Sequence, residues 1–260
     1  MAKILLDHID VLATMDDNGG SGGCGDEIND AAILIEDGVI TAAATHQAMQ
    51  QRLNSTPSPE RDGRDELEVI DMRGPIVIPG MVNTHHHLFQ NLTRVIPAAQ
   101  NKSLFGWLQT LYSIWQHLKP DDFYISAAAG LAELALSGCT TSSDHQYLFP
   151  NGSQLDNAIE AATDLGIRFT AARGSMSIGE SNGGLPPDSL TEKEDSILAD
   201  CLRVVDAYHD ASHHAMVRVA LAPCSPFSVS RELMRDTAIM AIDKGVGLHT
   251  HLAENIEDIE

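Results

Sequence analysis

Two textures of apolar and polar positions divide the chain. Over residues 1–75 the apolar positions fall in short runs, at 4–6, 32–35, 39–42 and 67–70. These runs have strand length, and Glu36-Asp37-Gly38 supplies a hairpin turn between the second and third. From residue 76 the pattern alternates between strand-like runs and longer helical periods. An apolar run at 76–83 is followed by a helix over 104–117 and another over 121–137, with Pro120 near its start and Gly138 past its end. Then come a strand at 140–144, a helix at 155–165 ending on Gly166, and a strand at 167–172. A helix at 191–209 opens on a capping box, Thr191 to Glu194. A strand at 216–222, a helix at 231–244 and a strand at 246–252 complete the series.

Five strands with helical crossovers, at roughly 37 residues per unit, predict an α/β fold on a parallel sheet. That sheet is either doubly wound or the start of a (β/α)8 barrel, preceded by a small N-terminal β domain. The domain division falls at 1–75 and 76–260. Closing a barrel at this spacing takes about 110 residues more, so the sequence reads as unfinished. Such a piece is expected to aggregate through open sheet edges.

Composition narrows the classes. Of the 260 residues, 43% are hydrophobic and 20% charged, an ordinary globular balance. The net charge of −21 argues against a nucleic-acid partner, since an acidic surface repels phosphates. No apolar run reaches the roughly 20 residues of a membrane helix, and the N-terminus lacks a signal-peptide pattern. Cysteines at 24, 139, 201 and 224 form no C-x-x-C pair, which suits a reduced, cytoplasmic protein. The glycine-rich stretch 18–25 lacks the Lys-Ser/Thr of a phosphate loop and reads as a flexible connection, as does 54–65.

Candidate chemistry lies in two histidine pairs. In Asn83-Thr84-His85-His86-His87, strand geometry aims His85 and His87 to one side and His86 to the other. Two imidazoles at that spacing can share an ion such as Zn²⁺. His249-Thr250-His251-Leu252-Ala253-Glu254 repeats the pattern at the last strand, with a carboxylate just beyond. In a barrel, the C-terminal strand ends converge on one site, where three imidazoles would leave the ion open to water. The other histidines carry weaker signals. His8, His46 and His117 have no partners at ligand spacing. His209, His213 and His214 read as solvated, and Asp144-His145, at a strand end that opens on the site, as a structural hydrogen-bonded pair ahead of a substrate contact.

Residues 79–87 and 248–255, Pro-Gly-Met-Val-Asn-Thr-His-His-His and Leu-His-Thr-His-Leu-Ala-Glu-Asn, resemble the amidohydrolase superfamily. The likeness is to its aminohydrolase branch, which deaminates purines, pyrimidines and triazines. Stretches 104–108, 172–176, 184–188 and 221–228 support it. The resemblance implies a partial (β/α)8 barrel. Zinc, or iron, would be held by His85, His87 and His251, with Glu254 shuttling protons. It also implies a sixth-strand His and an eighth-strand Asp, neither present through residue 260. The chain alone is therefore expected to be inactive and poorly soluble; a soluble monomer with full turnover on added zinc would refute that. Gln90, Trp107, Arg173 and Cys224 become candidate substrate contacts. The implied partner is a small heterocycle, 8-oxoguanine foremost, converted to urate and ammonia. A hydroxyatrazine-type triazine is the alternative, and an inactive remnant the third reading. The full-length protein would be a homo-oligomer.

Overall fold

The computed structural model describes residues 3–16, 27–55 and 67–254. The glycine-rich stretch 18–25, most of the connection at 54–65 and the end of the chain from 255 lie outside them. The chain divides into two compact units, residues 1–79 and 80–260. Among the described residues no helix is long and apolar enough to cross a membrane.

The first unit is built on one sheet. Strands β1 (Lys3–Ala13), β2 (Glu27–Glu36) and β3 (Val39–Thr45) run antiparallel, and β4 (Leu67–Asp71) and β5 (Ile76–Val77) lie parallel to β1. The β2–β3 hairpin turns where the sequence places it, on Asp37 and Gly38 with φ of 52° and 79°. Positive φ at both central residues is what a type I′ turn requires. Helix α1 (His46–Ser55) was not foreseen, because it buries a single residue, Met49, and shows little apolar periodicity. Met49 packs with Leu5, Ala32 and Leu34.

A bulge divides β1. Leu6 pairs with Ile33 and Ile9 with Ala31, so Asp7 and His8 stand opposite Ala32 alone. The extra residue slips the two-residue alternation by one. Leu5 therefore joins the core beneath α1, whereas Ile9 and Leu12 join a second cluster with Ile33.

The second unit contains β6 (Met81–Asn83), α2 (Leu104–Trp115), α3 (Pro120–Leu136), β7 (Cys139–Gln146), α4 (Asp156–Leu165), β8 (Arg168–Ser175), α5 (Glu194–Tyr208), β9 (Val217–Pro223), α6 (Arg231–Lys244) and β10 (Gly247–Leu248). The strands lie side by side in chain order, and every neighbouring pair is parallel. That is a partial (β/α)8 barrel, one of the two arrangements the alternation allows and the one the resemblance implies. Phe169, Val219 and Leu221 on the strands meet Ile159, Ile197, Val204 and Leu233 on the helices in the largest apolar cluster.

Three expectations change. The apolar run at 76–83 is not one strand: Ile76 and Val77 pair with β1, and only Met81–Asn83 pairs with β7. The unit boundary accordingly falls after Pro79 instead of after residue 75. No capping box opens α5, whose N-cap is Lys193. Thr191 Oγ1 instead donates to the Asp188 carbonyl, and Glu194 accepts from Ser177 Oγ, so both side chains have other partners.

Candidate metal centre and active-site cavity

His85, His87, His145, His249 and His251 gather at the C-terminal ends of β6, β7 and β10. The chain after β6 is pinned at each step. Asn83 Oδ1 accepts from the His85 amide at 3.1 Å, the His86 carbonyl from the His145 amide at 2.7 Å, and Asp144 Oδ1 from the Leu88 amide at 2.7 Å. The Asp144 carboxyl is fully buried, and burial pushes its pKa up to about 7 despite the hydrogen bonds it accepts. Across the sheet, the His249 amide donates to the Leu221 carbonyl at 2.9 Å and the His251 amide, one residue out of register, to the Cys224 carbonyl at 3.0 Å.

Second contacts fix the rings. His87 Nδ1 donates to the His145 carbonyl at 2.7 Å, and His251 Nδ1 to the Cys224 carbonyl at 2.7 Å. Each ring therefore turns Nε2 inward, and the two Nε2 atoms face each other at 3.2 Å. Carbonyl partners of this kind set the tautomer of metal-binding imidazoles. The rings of His85, His87 and His251 lie 4.8, 5.1 and 5.1 Å apart, centroid to centroid. One nitrogen from each lies within 4.8 Å of the others.

Electrostatics favour the neutral, ligating form. Burial, reinforced by the surrounding imidazoles, lowers the pKa of His87 to about 3 and of His85 to about 4. With both Nδ1 atoms held by carbonyls, His87 and His251 point their Nε2 atoms at one another, an arrangement that a cation between them would satisfy. The donor set fits zinc, which takes three imidazoles readily and keeps a further position for water.

His145 departs from its sequence reading. Its ring is buried, and neither nitrogen has a hydrogen-bond partner. Asp144 turns instead to the Leu88 amide, so the two side chains do not pair. The His145 ring stacks on that of His251 at 4.6 Å and 19°. His249 Nε2 approaches His85 Nδ1 at 3.2 Å.

A cavity of about 400 Å³ opens beside the imidazoles. Its wall includes Gln90, Trp107, Tyr112, Tyr147, Met176, Cys224 and Glu254 as well as His85, His87 and His251. Gln90 Nε2 donates to the Tyr147 hydroxyl at 3.1 Å. Enclosure raises the Cys224 thiol to about 12, which keeps it protonated. Sequence reasoning did not single out Tyr112, Tyr147 or Met176, which belong to an aromatic cluster with Phe89, Trp115 and Phe123. Their spacing is that of ordinary core residues.

Arg173 is the exception among the expected substrate contacts, because it does not line the cavity. Its guanidinium is 1% exposed, bonded to Asp200 at 2.6 Å and Glu192 at 2.8 Å, and set 3.9 Å from the Phe149 ring centroid. It also donates to the Gly174 carbonyl. At the end of β8 its side chain leaves the sheet toward α5, where acidic partners offset the cost of burying it.

Comparison with known families matches residues 76–260 to the family described as Amidohydrolase family. The chain belongs to the amidohydrolase family. Among curated relatives, the 8-oxoguanine deaminase of Pseudomonas aeruginosa is 48% identical over 185 residues, covering 70% of this chain and 41% of its own length. A hydroxydechloroatrazine ethylaminohydrolase of Pseudomonas sp. strain ADP is 36% identical over 236 residues, 88% of this chain and 48% of the relative. Among solved amidohydrolase structures, the zinc complex of an atrazine chlorohydrolase from Arthrobacter aurescens TC1 superposes with a TM-score of 0.82. It is 35% identical, and the match covers 97% of this chain and 53% of that one. The chain thus spans about half the length, or less, of these family members.

Proposed function

We propose that the chain carries the metal site of a hydrolytic deaminase acting on an amino-substituted, purine-like heterocycle, with 8-oxoguanine converted to urate and ammonia. The observation that carries this reading is the placement of Glu254 on the same cavity wall as the His85, His87 and His251 triad. Zinc held by those imidazoles supplies Lewis acidity that brings proton loss from water near neutral pH. Iron would find the same nitrogen donors acceptable.

The remaining chemistry falls to the chain's own groups. Glu254 accepts the water's proton and delivers it to the exocyclic amine. A carbon–oxygen bond forms at the ring carbon, the carbon–nitrogen bond breaks, and ammonia leaves. Gln90, whose amide nitrogen is held by Tyr147, is left with its carbonyl oxygen to accept from a ring N–H. Trp107, Tyr112 and Met176 supply flat, apolar walls that exclude water and suit an aromatic substrate. The protonated Cys224 thiol is a weak donor at the cavity edge. The free thiols Cys139, Cys201 and Cys224 suit a reducing cytoplasm.

A second reading is a triazine aminohydrolase, favoured by the hydroxydechloroatrazine and atrazine enzymes among the relatives. The test offers 8-oxoguanine and hydroxyatrazine in parallel to the zinc-loaded protein at the full length of its family members, with binding and products followed. Ammonia and urate support the first reading. Alkylamine release from the triazine supports the second. Neither binding nor turnover of either compound overturns both.

A further inference from the structure

The small N-terminal unit holds another set of metal-ligating side chains. Asp7, His8 and His46 each offer a donor atom within 4.8 Å of the others. His46 Nδ1 lies 2.7 Å from Asp7 Oδ1, and His8 Nδ1 lies 3.2 Å from Asp30 Oδ1. The two imidazole rings face each other at 4.1 Å and 21°. Asp7 is 6% exposed, and its second oxygen accepts from Gln50 Nε2 at 3.4 Å.

The backbone departs from regular geometry to make this arrangement. Neighbours on a regular strand point to opposite faces, so Asp7 and His8 could not both reach α1. The bulge opposite Ala32 allows it. His8 adopts a left-handed φ of 56° and Asp30 one of 45°, a conformation disfavoured for residues with a Cβ. Asp7 bonded to His46 and Gln50 would already tie β1 to α1. That tie does not account for the second imidazole or for Asp30. Sequence spacing concealed the cluster, since 39 residues separate Asp7 from His46.

We propose that Asp7, His8 and His46 form a binding site for a divalent transition cation such as Zn²⁺, independent of the barrel histidines. Two imidazoles and a carboxylate are a donor set zinc accepts, with water completing the tetrahedron. At ordinary zinc–ligand lengths, tetrahedral donors lie about 3.3 Å apart. The His46–Asp7 pair has to open by about half an ångström to reach that spacing, and His8 Nδ1 has to leave Asp30 Oδ1. Binding would part the stacked rings toward the 4.8–5.1 Å separations of the barrel triad.

The experiment counts metal on the full chain, stripped with chelator and dialysed against buffered zinc. Two ions per chain are expected. The double variant His8→Ala/His46→Ala should lose one. The triple variant His85→Ala/His87→Ala/His251→Ala should lose the other and keep this one, so failure of either site is read separately. His8→Ala alone should weaken zinc at this site about tenfold or more. Copper(II) loaded on the triple variant gives a check independent of stability. Its electron paramagnetic resonance spectrum should show two nitrogen ligands, reduced to one by His8→Gln. An unchanged zinc count in His8→Ala/His46→Ala overturns the proposal, as does a triple variant that binds no ion.

Discussion

The Nε2 atoms of His87 and His251, separated by 164 residues in the chain, face one another at 3.2 Å. Each ring is held from behind by a backbone carbonyl, so neither can turn away without breaking a 2.7 Å hydrogen bond. The site is therefore pre-arranged for a cation. Replacing either residue with alanine should lower zinc affinity by more than about a hundredfold, beyond the loss usual for partners that only orient a ligand. Equilibrium dialysis with competing chelators measures it. Retention of wild-type affinity in both variants would show that the facing nitrogens are not ligands.

Acid should destabilise the metal-free protein through these rings. Burial holds His87 at about 3 and His85 at about 4, below the ordinary 6.5. An imidazole with a lowered folded pKa contributes full stability above 6.5 and loses it as the pH falls toward its folded value. Urea midpoints of the chelator-treated protein should therefore drop between pH 6.5 and 4. His87→Gln, which cannot titrate, should show a shallower drop. Parallel curves for the two proteins would contradict this assignment.

Asp144 works in the opposite direction. Its carboxyl is raised from 3.8 to about 7, chiefly by burial. The folded protein holds a proton there that the unfolded chain has released, so this group's contribution to stability is largest below pH 4 and is lost as the pH rises through 7. Asp144→Asn keeps an oxygen for the Leu88 amide and removes the titration. The variant should be more stable than wild type at pH 7.5, by up to ~4 kcal/mol, with the gain shrinking at pH 5. Equal destabilisation at both values would mean that the carboxylate itself is required.

Arg173 tests the line between structure and binding. Its guanidinium is enclosed by Glu192, Asp200 and the Phe149 ring, away from the cavity. Arg173→Met should cost about 3 kcal/mol, the lower end for breaking a buried pair because both acids keep some solvent. Ligand affinity of the folded fraction should stay unchanged. A selective loss of heterocycle binding at wild-type stability would return Arg173 to the substrate site.

The strand-and-helix alternation from residue 76 is legible in the sequence because each element buries one regular face. Helices α4 and α6 end on Gly166 and Gly245, both at φ 67°, and a left-handed terminal glycine is a local signal. His85, His87 and His251 are legible for a similar reason, since i, i+2 spacing at a strand end survives any arrangement of the strands. What the sequence conceals depends on contact between distant segments. His145 looks like the partner of Asp144 until the Leu88 amide claims that carboxylate. Arg173 looks like a contact to a heterocyclic substrate until α5 is seen to place Asp200 beside it. Tyr147 and Met176 are indistinguishable from core positions until the cavity exposes one side of their cluster.

Glu254 provides the sharpest functional test, because its position separates chemistry from metal binding. It lines the cavity with His251, three residues earlier, yet belongs to none of the imidazole clusters that can hold an ion. Glu254→Gln keeps the size and hydrogen-bonding capacity of the side chain while removing its ability to carry a proton. Zinc content should stay at the wild-type level, and affinity for 8-oxoguanine should change little. In the protein at the full length of its family members, turnover of the proposed substrate should fall by about 10²- to 10⁴-fold, the usual contribution of a positioned general acid–base. Because the lost step is proton transfer, the fall should appear in kcat with KM nearly constant. Loss of zinc together with activity would instead make Glu254 a ligand, and undiminished turnover would assign the proton shuttle to another group.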